Sequence, residues 1–475
     1  MNVTEVGIRE SRIHRASDGS CQRDSAEHEG YDRALTDKRI TENNITDTSI
    51  KGYGLLEQIL DPENLNRAYK QVKKNKGSHG VDGMSTEHLL EYLKSNGNML
   101  RQSILDGKYR PSPVRRVEIP KDNGKKRQLG IPTAVDRVIQ QAIMQVLSPV
   151  YDPTFSESSY GFRPKRSAHD ALRKCKEYAN EGYTYVVDMD LEKFFDVVNQ
   201  SKMIEILSRT VKDGRVISLI HKYLRAGAIV SRKFEETNTG LAQGGNLSPL
   251  CSNVMLNELD KELERRGIRF VRYADDVLLF ARSKRSAERM MKHILPFIEN
   301  RLKLRVNREK TKVACIEHIK FLGYGFYPSK AGVKLRVHAK SVAKMKDKIR
   351  EITSRSKGIS YEKLKLKLKQ FITGWVNYFK LADMRFLLDK TDSWLRRRLR
   401  MFIWKRWKKI KTRYQMLKKL GFNHQNAIKY ANTRKGYWHT AGSQILSCSI
   451  TDNRLREAGY LFFLDYLNYL KTVKV

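Results

Sequence analysis

The chain has 475 residues and a formal net charge of +40, from 92 Lys and Arg against 52 Asp and Glu. This length allows several domains with large cores, and the charge predicts a polyanion partner, with nucleic acid as the first expectation. Five cysteines stand singly without a CxxC pair, which excludes a disulfide framework and a zinc site of that type. Without an apolar signal segment or a membrane-length apolar run, we expect a cytoplasmic protein with no membrane partner.

The first 49 residues differ from the rest of the chain. Acidic residues outnumber basic ones there, and no hydrophobic periodicity is sustained. We therefore expect 1–49 to form a flexible polar leader. A globular pattern begins at Gly54, and the glycine-rich segment 77–84 is most simply a turn.

Two short segments, 117–119 and 128–131, have the pattern of hairpin strands. The loop between them carries four cations: Lys121, Lys125, Lys126 and Arg127. This charge suits phosphate contact, and a solvated charged turn is an equally good interpretation.

Helical periodicity at 136–147 and 168–180 flanks the loop SSYGFRPKRS at 158–167. This loop combines aromatic residues with Arg163 and neighbouring cations, as base stacking with phosphate pairing requires. The same mixture also caps ordinary helices, so both interpretations stay open.

Acidic residues follow a strand pattern in YTYVVDMDLEKFFDVV, residues 183–198. A second acidic site lies in VRYADDVLLF, 271–280, where two apolar runs flank Asp275 and Asp276 as in a tight hairpin. Adjacent carboxylates repel each other, so their presence between buried strands suggests a bound cation, whereas on spacing alone a solvated turn is the commoner explanation. One acid from 183–198 beside this hairpin would complete a three-carboxylate site for two Mg²⁺ ions and in-line phosphoryl transfer.

The chain becomes helical beyond Leu335, with periodic segments at 341–354 and 361–378. From 394 to 420 there are twelve Lys and Arg and no acid, interleaved with tryptophans, which predicts a nucleic-acid surface. The expected contacts, with Arg163 of the earlier loop, are Arg396, Arg397, Arg398, Lys405, Arg406, Lys408 and Lys409.

These motifs together resemble the reverse transcriptases encoded by bacterial group II introns. The resemblance rests on DMDLEKFFDVV, GLAQGGNLSPL, YADD, LKLRVNREKTK and FLGY in this order, with IPKDNGKKRQLGIPTAVDRVIQQA and SYGFRPKRS as fingers blocks and GWVNYFK in the thumb or maturase domain. It extends from about Leu55 to the C-terminus and is closest to the class IIC lineage. Larger relatives continue into an endonuclease domain with paired cysteines, which we do not expect here.

The resemblance implies that Asp190, Asp275 and Asp276 are catalytic and ligate two Mg²⁺ ions, with Mn²⁺ as a substitute. Asp190 is preferred to Asp188 because Phe195 then falls where the family has the ring that excludes a 2′-hydroxyl. The implied nucleotide-binding residues are Lys121, Arg127, Phe195, Gln243, Gly244 and Lys310. Ala242 departs from the family, which usually has Pro there, and this change is expected to loosen the loop.

We thus expect an α+β right-hand polymerase with four consecutive regions. They are the leader at 1–49, the fingers and palm with an antiparallel palm sheet at 50–334 (N-terminal extension 50–105), a helical thumb or maturase domain at 335–393, and a basic DNA-binding module at 394–475.

The implied function is RNA-directed DNA synthesis by a mobile-intron protein that also binds the intron RNA to promote splicing. It would support retrohoming by target-primed reverse transcription, with target DNA and deoxynucleoside triphosphates as further partners. We expect a bacterial cytoplasmic location, associated with the nucleoid when in the ribonucleoprotein. A splicing-only maturase and a domesticated reverse transcriptase for repair or phage defence are the alternatives.

Overall fold

The computed structural model describes residues 54–120, 124, 126–356 and 358–473. The predicted leader at 1–49 and Lys121 both lie outside the described residues. Within these described ranges, no helix is both long enough and apolar enough to cross a membrane.

Three sheets are present in the described residues, with strand orders β2-β1-β4-β5, β6-β7-β3-β8 and β11-β10-β9. Their strands are β1 (Val114–Pro120), β2 (Lys126–Ile131), β3 (Tyr185–Asp190), β4 (Ala228–Val230), β5 (Lys233–Glu235), β6 (Arg269–Tyr273), β7 (Asp276–Ala281), β8 (Lys312–Cys315), β9 (Lys320–Phe321), β10 (Tyr324–Ser329) and β11 (Gly332–Val337).

Helices make up most of the remaining described chain. They are α1 (Leu55–Ile59), α2 (Pro62–Asn75), α3 (Leu89–Leu105), α4 (Ala134–Tyr151), α5 (Ala168–Asn180), α6 (Phe194–Val197), α7 (Gln200–Thr210), α8 (Gly214–Leu224), α9 (Ser248–Arg265), α10 (Lys284–Pro296), α11 (Ala339–Ile352), α12 (Tyr361–Phe379), α13 (Arg385–Arg406), α14 (Ile410–Lys419), α15 (His424–Ala431), α16 (Tyr437–Ala441), α17 (Gln444–Ser449), α18 (Asp452–Glu457) and α19 (Phe463–Thr472).

Side-chain caps fix where several helices begin. The Asp61 carboxylate accepts the backbone N–H groups of Glu63 and Asn64, and Pro62 occupies the first position of α2. Ser360 likewise accepts the N–H of Lys363 at the start of α12. These caps satisfy N–H groups that have no partner within the helix.

The predicted elements correspond closely to the observed ones. The hairpin predicted from 117–119 and 128–131 is β1–β2, an antiparallel pair in which β1 begins earlier and both strands extend further towards the turn. The helix predicted at 168–180 has those bounds, whereas the one predicted at 136–147 extends over Ala134–Tyr151. The mixed architecture, with antiparallel strand pairs and many helices, confirms the predicted α+β class.

The first of two compact units contains the described residues up to Ser167, Asp190–Val277 and Ile294–Arg308. Its sheet joins the β1–β2 hairpin to β4 through a parallel pairing that the sequence did not predict. Helix α4 packs against α2, and α9 packs against α7, so apolar faces are buried between helices.

The second unit contains Ala168–Met189, Leu278–His293 and the described residues from Glu309 onward. Strand β3 pairs antiparallel with β8 in this unit. Trp375 and Phe379 of α12 are buried, and the Trp375 ring meets Phe463 of α19 edge-on at 5.5 Å. Each of the two units is built from several segments that alternate along the chain. The predicted domains are consecutive and do not correspond to these units, so their boundaries remain a prediction.

The Asp392 carboxylate of α13 caps α19, accepting the N–H groups of Phe463 at 2.9 Å and Leu464 at 2.8 Å. Burial raises the pKa of Asp392 to about 6. This contact attaches the C-terminal helix to α13 within the second unit.

Candidate active site

The two adjacent carboxylates lie at a hairpin tip, as the sequence predicted. Strand β6 ends at Tyr273 and β7 begins at Asp276, so Ala274 and Asp275 form a two-residue turn. Ala274 has a φ of 56° although it is not glycine, a conformation that costs about 1 kcal/mol or more. Asp275 is half-buried and Asp276 is exposed, whereas the residues that flank them in the strands are buried.

Asp190 lies at the same sheet edge as this turn. Strands β3 and β7 are neighbours in the second sheet. Arg282, which follows β7, lies 4.9 Å from the ring centroid of Tyr183, which precedes β3. The start of β3 therefore lies beside the end of β7, so the strands are antiparallel and Asp190 lies beside the start of β7.

The end of β3 is held by backbone contacts from the segment before β8. The Asn307 N–H donates to the Asp190 carbonyl at 2.9 Å, and the Glu192 N–H donates to the Arg305 carbonyl at 2.8 Å. These bonds lie within the first unit, which also contains Asp275 and Asp276. They fix the backbone that carries the Asp190 side chain.

Asp188 lies on the same face of β3 as Asp190, because side chains alternate along a strand. It is paired in register with Lys312 of β8, and its carboxylate is 3.9 Å from the Lys312 ammonium. Asp188 therefore has a cationic partner on a neighbouring strand, on the side of the sheet away from β7.

The three carboxylates have the donor chemistry of a site for a hard divalent cation, which prefers oxygen ligands. Among the described residues, however, no three His, Cys, Asp or Glu side chains are grouped so that they could hold a metal ion as they stand. The strand order nevertheless brings Asp190 to the same edge as the turn that carries Asp275 and Asp276.

Two phenylalanines follow Asp190 in the chain. Phe194 is buried and Phe195 is half-buried, and their rings meet edge-on at 5.3 Å. The Phe195 carbonyl accepts the N–H of Leu241 at 2.6 Å. Phe195 therefore lies directly against the segment that leads into the Gln243 loop.

The loop containing Gln243 and Gly244 lies against the β1–β2 hairpin. The Gly130 N–H donates to the Gln243 carbonyl at 2.7 Å. A Cβ at Gly244 would come 2.8 Å from the Gly130 carbonyl, and its φ is 111°, so both space and conformation require glycine. The close backbone approach joins this loop to β2, the strand that carries Arg127.

Ala242 holds the same loop through its carbonyl group. This oxygen accepts the Ser248 hydroxyl at 2.6 Å and the Gly245 N–H at 3.1 Å. The amide of Asn246 donates to Gln141 of α4 at 2.9 Å. The loop is therefore attached to both α9 and α4 in the absence of proline.

The remaining cations predicted for the nucleotide site have different surroundings. Arg127 is exposed on β2, opposite Ile119. Lys310 is exposed two residues before β8 and belongs to the second unit.

Arg163 does not lie on a surface where it could bind nucleic acid. Its side chain is 4% exposed and forms an ion pair with Asp152 at 2.7 Å. Its other nitrogens donate to the carbonyls of Ser156, Ser159 and Asp152. The guanidinium holds the 152–159 segment together, and its predicted nucleic-acid contact is replaced by this structural role.

Several arginines of the 394–420 segment also connect elements within the second unit. Arg396 pairs with Asp452 at 3.1 Å, and Arg397 lies 4.2 Å from the ring centroid of Trp438. Arg398 donates to the Thr353 hydroxyl at 2.6 Å, and Arg406 donates to the Ile359 carbonyl. A buried or bonded arginine has fewer donors left for phosphate.

Two of the three predicted lysines in this segment face solvent. Lys408 and Lys409 are exposed, and Lys405 is half-buried with its ammonium 6.0 Å from the ring centroid of Tyr437.

Sequence reasoning missed a buried polar network behind the acidic turn. Arg272 of β6 forms an ion pair with Asp260 of α9, and neither side chain is exposed to solvent. Arg272 also contacts Asn253 of α9. The sequence feature that could have indicated this network is Arg272 itself, a charged residue inside the apolar run that precedes Asp275.

Comparisons with known proteins identify two domains in the chain. The family model described as reverse transcriptase (RNA-dependent DNA polymerase) matches residues 119–326, and the group II intron maturase-specific domain matches 342–421. Protein YkfC of Escherichia coli (strain K12) is 35% identical over 320 residues, which cover 59% of this chain and 84% of YkfC. Group II intron-encoded protein LtrA of Lactococcus lactis subsp. cremoris is 29% identical over 429 residues, covering 75% of this chain and 67% of LtrA. A chain of a partial Cas6-RT-Cas1–Cas2 complex is 23% identical with a TM-score of 0.35, covering 53% of this chain and 43% of that chain.

The matched domains and the acidic sheet edge define a nucleic-acid polymerase of the reverse transcriptase class. The chain belongs to the group II intron-encoded reverse transcriptases that carry a maturase domain. It is thus an RNA-directed DNA polymerase and a splicing maturase, which confirms the predicted enzyme class and the family resemblance. Divalent metal ions and nucleic-acid substrates, intron RNA among them, belong to this class.

Proposed function

We propose that Asp190, Asp275 and Asp276 hold two Mg²⁺ ions for RNA-templated addition of deoxynucleotides to a primer. The observation that carries this proposal is the antiparallel arrangement of β3 and β7, which brings Asp190 to the edge where the Ala274–Asp275 turn lies. The chemistry that bound Mg²⁺ supplies is a lower pKa for the primer 3′-hydroxyl and charge stabilisation on the departing pyrophosphate.

The incoming nucleotide would lie between the carboxylate edge, the Gln243–Gly244 loop and the β1–β2 hairpin. Gly244 gives close access to its exposed backbone, and Gln243 would align the base with the template. Phe195 would lie under the deoxyribose, so that a 2′-hydroxyl would clash with its ring. Arg127 and Lys310 carry charges suited to the triphosphate and the primer phosphates, and Lys121 is proposed for the same role from the sequence resemblance alone.

The exposed Lys408 and Lys409, with the half-buried Lys405, would contact phosphates of intron RNA and target DNA, whose binding would weaken as salt increases. Arg396, Arg397, Arg398 and Arg406 would mainly shape that surface, because each is engaged with other helices. We include the region 394–475 in this DNA-binding role, with 50–334 as fingers and palm and 335–393 as thumb.

In the biological setting that the family suggests, the protein would bind its intron RNA during splicing and then copy it by target-primed reverse transcription. The intron ribonucleoprotein would reach target DNA in the bacterial cytoplasm, at the nucleoid.

The test compares two neighbouring carboxylates on one strand face. Asp190→Asn removes a proposed metal ligand, whereas Asp188→Asn removes an acid that pairs with Lys312. We expect single-nucleotide extension of a DNA primer on an RNA template to fall at least about 1000-fold for Asp190→Asn, a loss comparable to that of other transition-state stabilising groups. Asp188→Asn should keep extension within about tenfold of wild type, since Asp188 pairs with the solvent-accessible Lys312 and such pairs contribute little. Equal losses in both variants would contradict the assignment of Asp190.

A further inference from the structure

The turn that carries Asp275 and Asp276 is connected to a network of buried polar side chains. The Arg272 guanidinium donates to the Asp260 carboxylate through Nε at 2.8 Å and Nη2 at 2.5 Å. Its Nη1 donates to the Asn253 amide oxygen at 2.9 Å and to the Ala274 carbonyl at 3.1 Å. A single side chain thus connects helix α9 to the first residue of the turn.

The network also fixes the segment that packs against the turn. The Asn253 amide nitrogen donates to the Gly161 carbonyl at 2.9 Å. The backbone of Arg272 donates to the Ser158 carbonyl and accepts from the Tyr160 N–H, each at 2.9 Å. Gly161 itself approaches the turn so closely that a Cβ there would lie 2.3 Å from the Ala274 nitrogen. The turn is therefore packed against the 158–161 backbone, which Asn253 and the backbone of Arg272 hold.

Burial makes this arrangement specific. Arg272 and Asp260 are 0% exposed and Asn253 is 1% exposed. An ion pair in the core is often no more stabilising than apolar residues of similar volume, so general stability does not explain its presence. A planar guanidinium can reach a carboxylate, an amide and a carbonyl at once, which the single ammonium of lysine cannot do. The Ala274 contact is the one that bears on the site, because Ala274 immediately precedes Asp275.

Helix α9 adds a second connection to the site. It begins directly after the Gln243–Gly244 loop, where Ser248 donates to the Ala242 carbonyl. The same helix supplies Asn253 and Asp260 to the network behind the turn. Both halves of the proposed site are therefore supported by one helix within the first unit.

We propose that Arg272, held by Asp260 and Asn253, is a positioning residue that fixes the acidic turn for metal binding. This inference rests on the proposed function of Asp275 and Asp276 as metal ligands. Groups that orient metal ligands without touching the ion typically contribute about 10- to 100-fold to metal affinity or activity.

The deciding variant is Asn253→Ala, with Asn257→Ala as its matched control. Both are buried asparagines on α9, one turn apart. Asn257 donates to the Thr154 carbonyl at 3.1 Å and accepts from the Ser156 N–H at 3.3 Å, so it holds the preceding segment rather than Arg272. Arg272→Lys is a second variant, which keeps the charge and loses the three-way contact. Asn253→Ala leaves the ion pair intact and is the safer variant for folding.

Two readouts on the full-length protein separate positioning from general stability. Mn²⁺ binding is followed by electron paramagnetic resonance, with Asp275→Asn/Asp276→Asn as the baseline. Mg²⁺ titrations of single-nucleotide extension give the half-saturating concentration and the maximal rate. We expect Asn253→Ala and Arg272→Lys to weaken Mn²⁺ binding and to raise the half-saturating Mg²⁺ concentration by about tenfold or more. Asn257→Ala should leave both within about twofold, because loss of a bond away from the turn does not move the ligands.

The positioning role would be overturned if Asn253→Ala and Asn257→Ala altered Mn²⁺ binding and the half-saturating Mg²⁺ concentration to the same extent. It would also be overturned if these effects simply followed the loss of thermal midpoint in each variant. Unchanged Mn²⁺ binding in a folded Asn253→Ala would do the same. If wild type binds Mn²⁺ no better than the double asparagine variant, the metal assignment itself fails, and this outcome is distinct because it does not involve Asn253.

Discussion

Gly161→Ala is the sharpest steric test of the site, because the added methyl group would meet only backbone atoms of the acidic turn. Its Cβ would lie 2.3 Å from the Ala274 nitrogen and 3.0 Å from the Tyr273 carbonyl carbon. Ordinary contact begins at 3.4 Å, so the turn or the 158–161 segment must move by about 1.1 Å. Displacements of about 1 Å in a catalytic group can lower a rate about 100-fold. Such overpacking typically destabilises a protein by about 1–3 kcal/mol.

The assay is single-turnover extension of a primer on an RNA template at saturating nucleotide, together with the thermal midpoint. Gly97→Ala is the control, because a Cβ at this position in α3 has no atom within 4 Å. Gly97→Ala should retain the wild-type rate and gain about 1 kcal/mol of stability, as glycine is a poor helix former. A folded Gly161→Ala that extends primers at the wild-type rate would refute the reasoning that this contact sets the position of the turn.

Three further predictions concern other parts of the chain. Phe195→Val should reduce the ratio of kcat/KM for dATP to kcat/KM for ATP by about tenfold or more, because a smaller side chain leaves room for the 2′-hydroxyl. An unchanged ratio would show that Phe195 does not select deoxyribose over ribose. Ala242→Pro should keep the loop contacts, which use the Ala242 carbonyl, and should raise the free energy of unfolding by about 0.4–1 kcal/mol by restricting the unfolded chain. Thermal melting measures the change in stability, and misincorporation assays test whether the loop still works. A large loss of stability would contradict the prediction. Asp392, with its pKa raised to about 6, should stabilise the folded state below pH ~4 and lose this contribution as pH rises through about 6. The thermal midpoint of wild type minus that of Asp392→Asn should therefore decrease between pH 4 and 7. A difference that stays constant over this range would contradict the prediction.

Much of the fold follows from local sequence patterns. The apolar runs on both sides of Asp275 and Asp276 predicted the β6–β7 hairpin, because period and turn length are local properties. Helix α5 was predicted with its observed bounds for the same reason. The parallel pairing of β1 with β4 was not predicted, since it joins strands about 110 residues apart along the chain and no local pattern records such a contact.

The site was predicted less completely than the fold. The sequence shows which acidic residues lie at the ends of strands. It does not show the roles of the arginines, as Arg163 and Arg272 illustrate. Both stand near motifs rich in aromatic or acidic residues, yet both are buried and bonded within the protein. Their partners Asp152, Asp260 and Asn253 are identified only by the folded chain, because each pair is brought together by tertiary packing.

The most direct test of the central claim compares RNA-templated extension and intron RNA binding in wild type and Asp275→Asn/Asp276→Asn. Asparagine keeps the shape of the turn and removes both negative charges, so the basic surface of the second unit is unchanged. We predict that the double variant loses primer extension in Mg²⁺ while its Kd for intron RNA stays within about twofold of wild type, because phosphate contacts dominate that affinity. Retention of extension by the folded double variant would contradict the assignment of these carboxylates to the polymerase site.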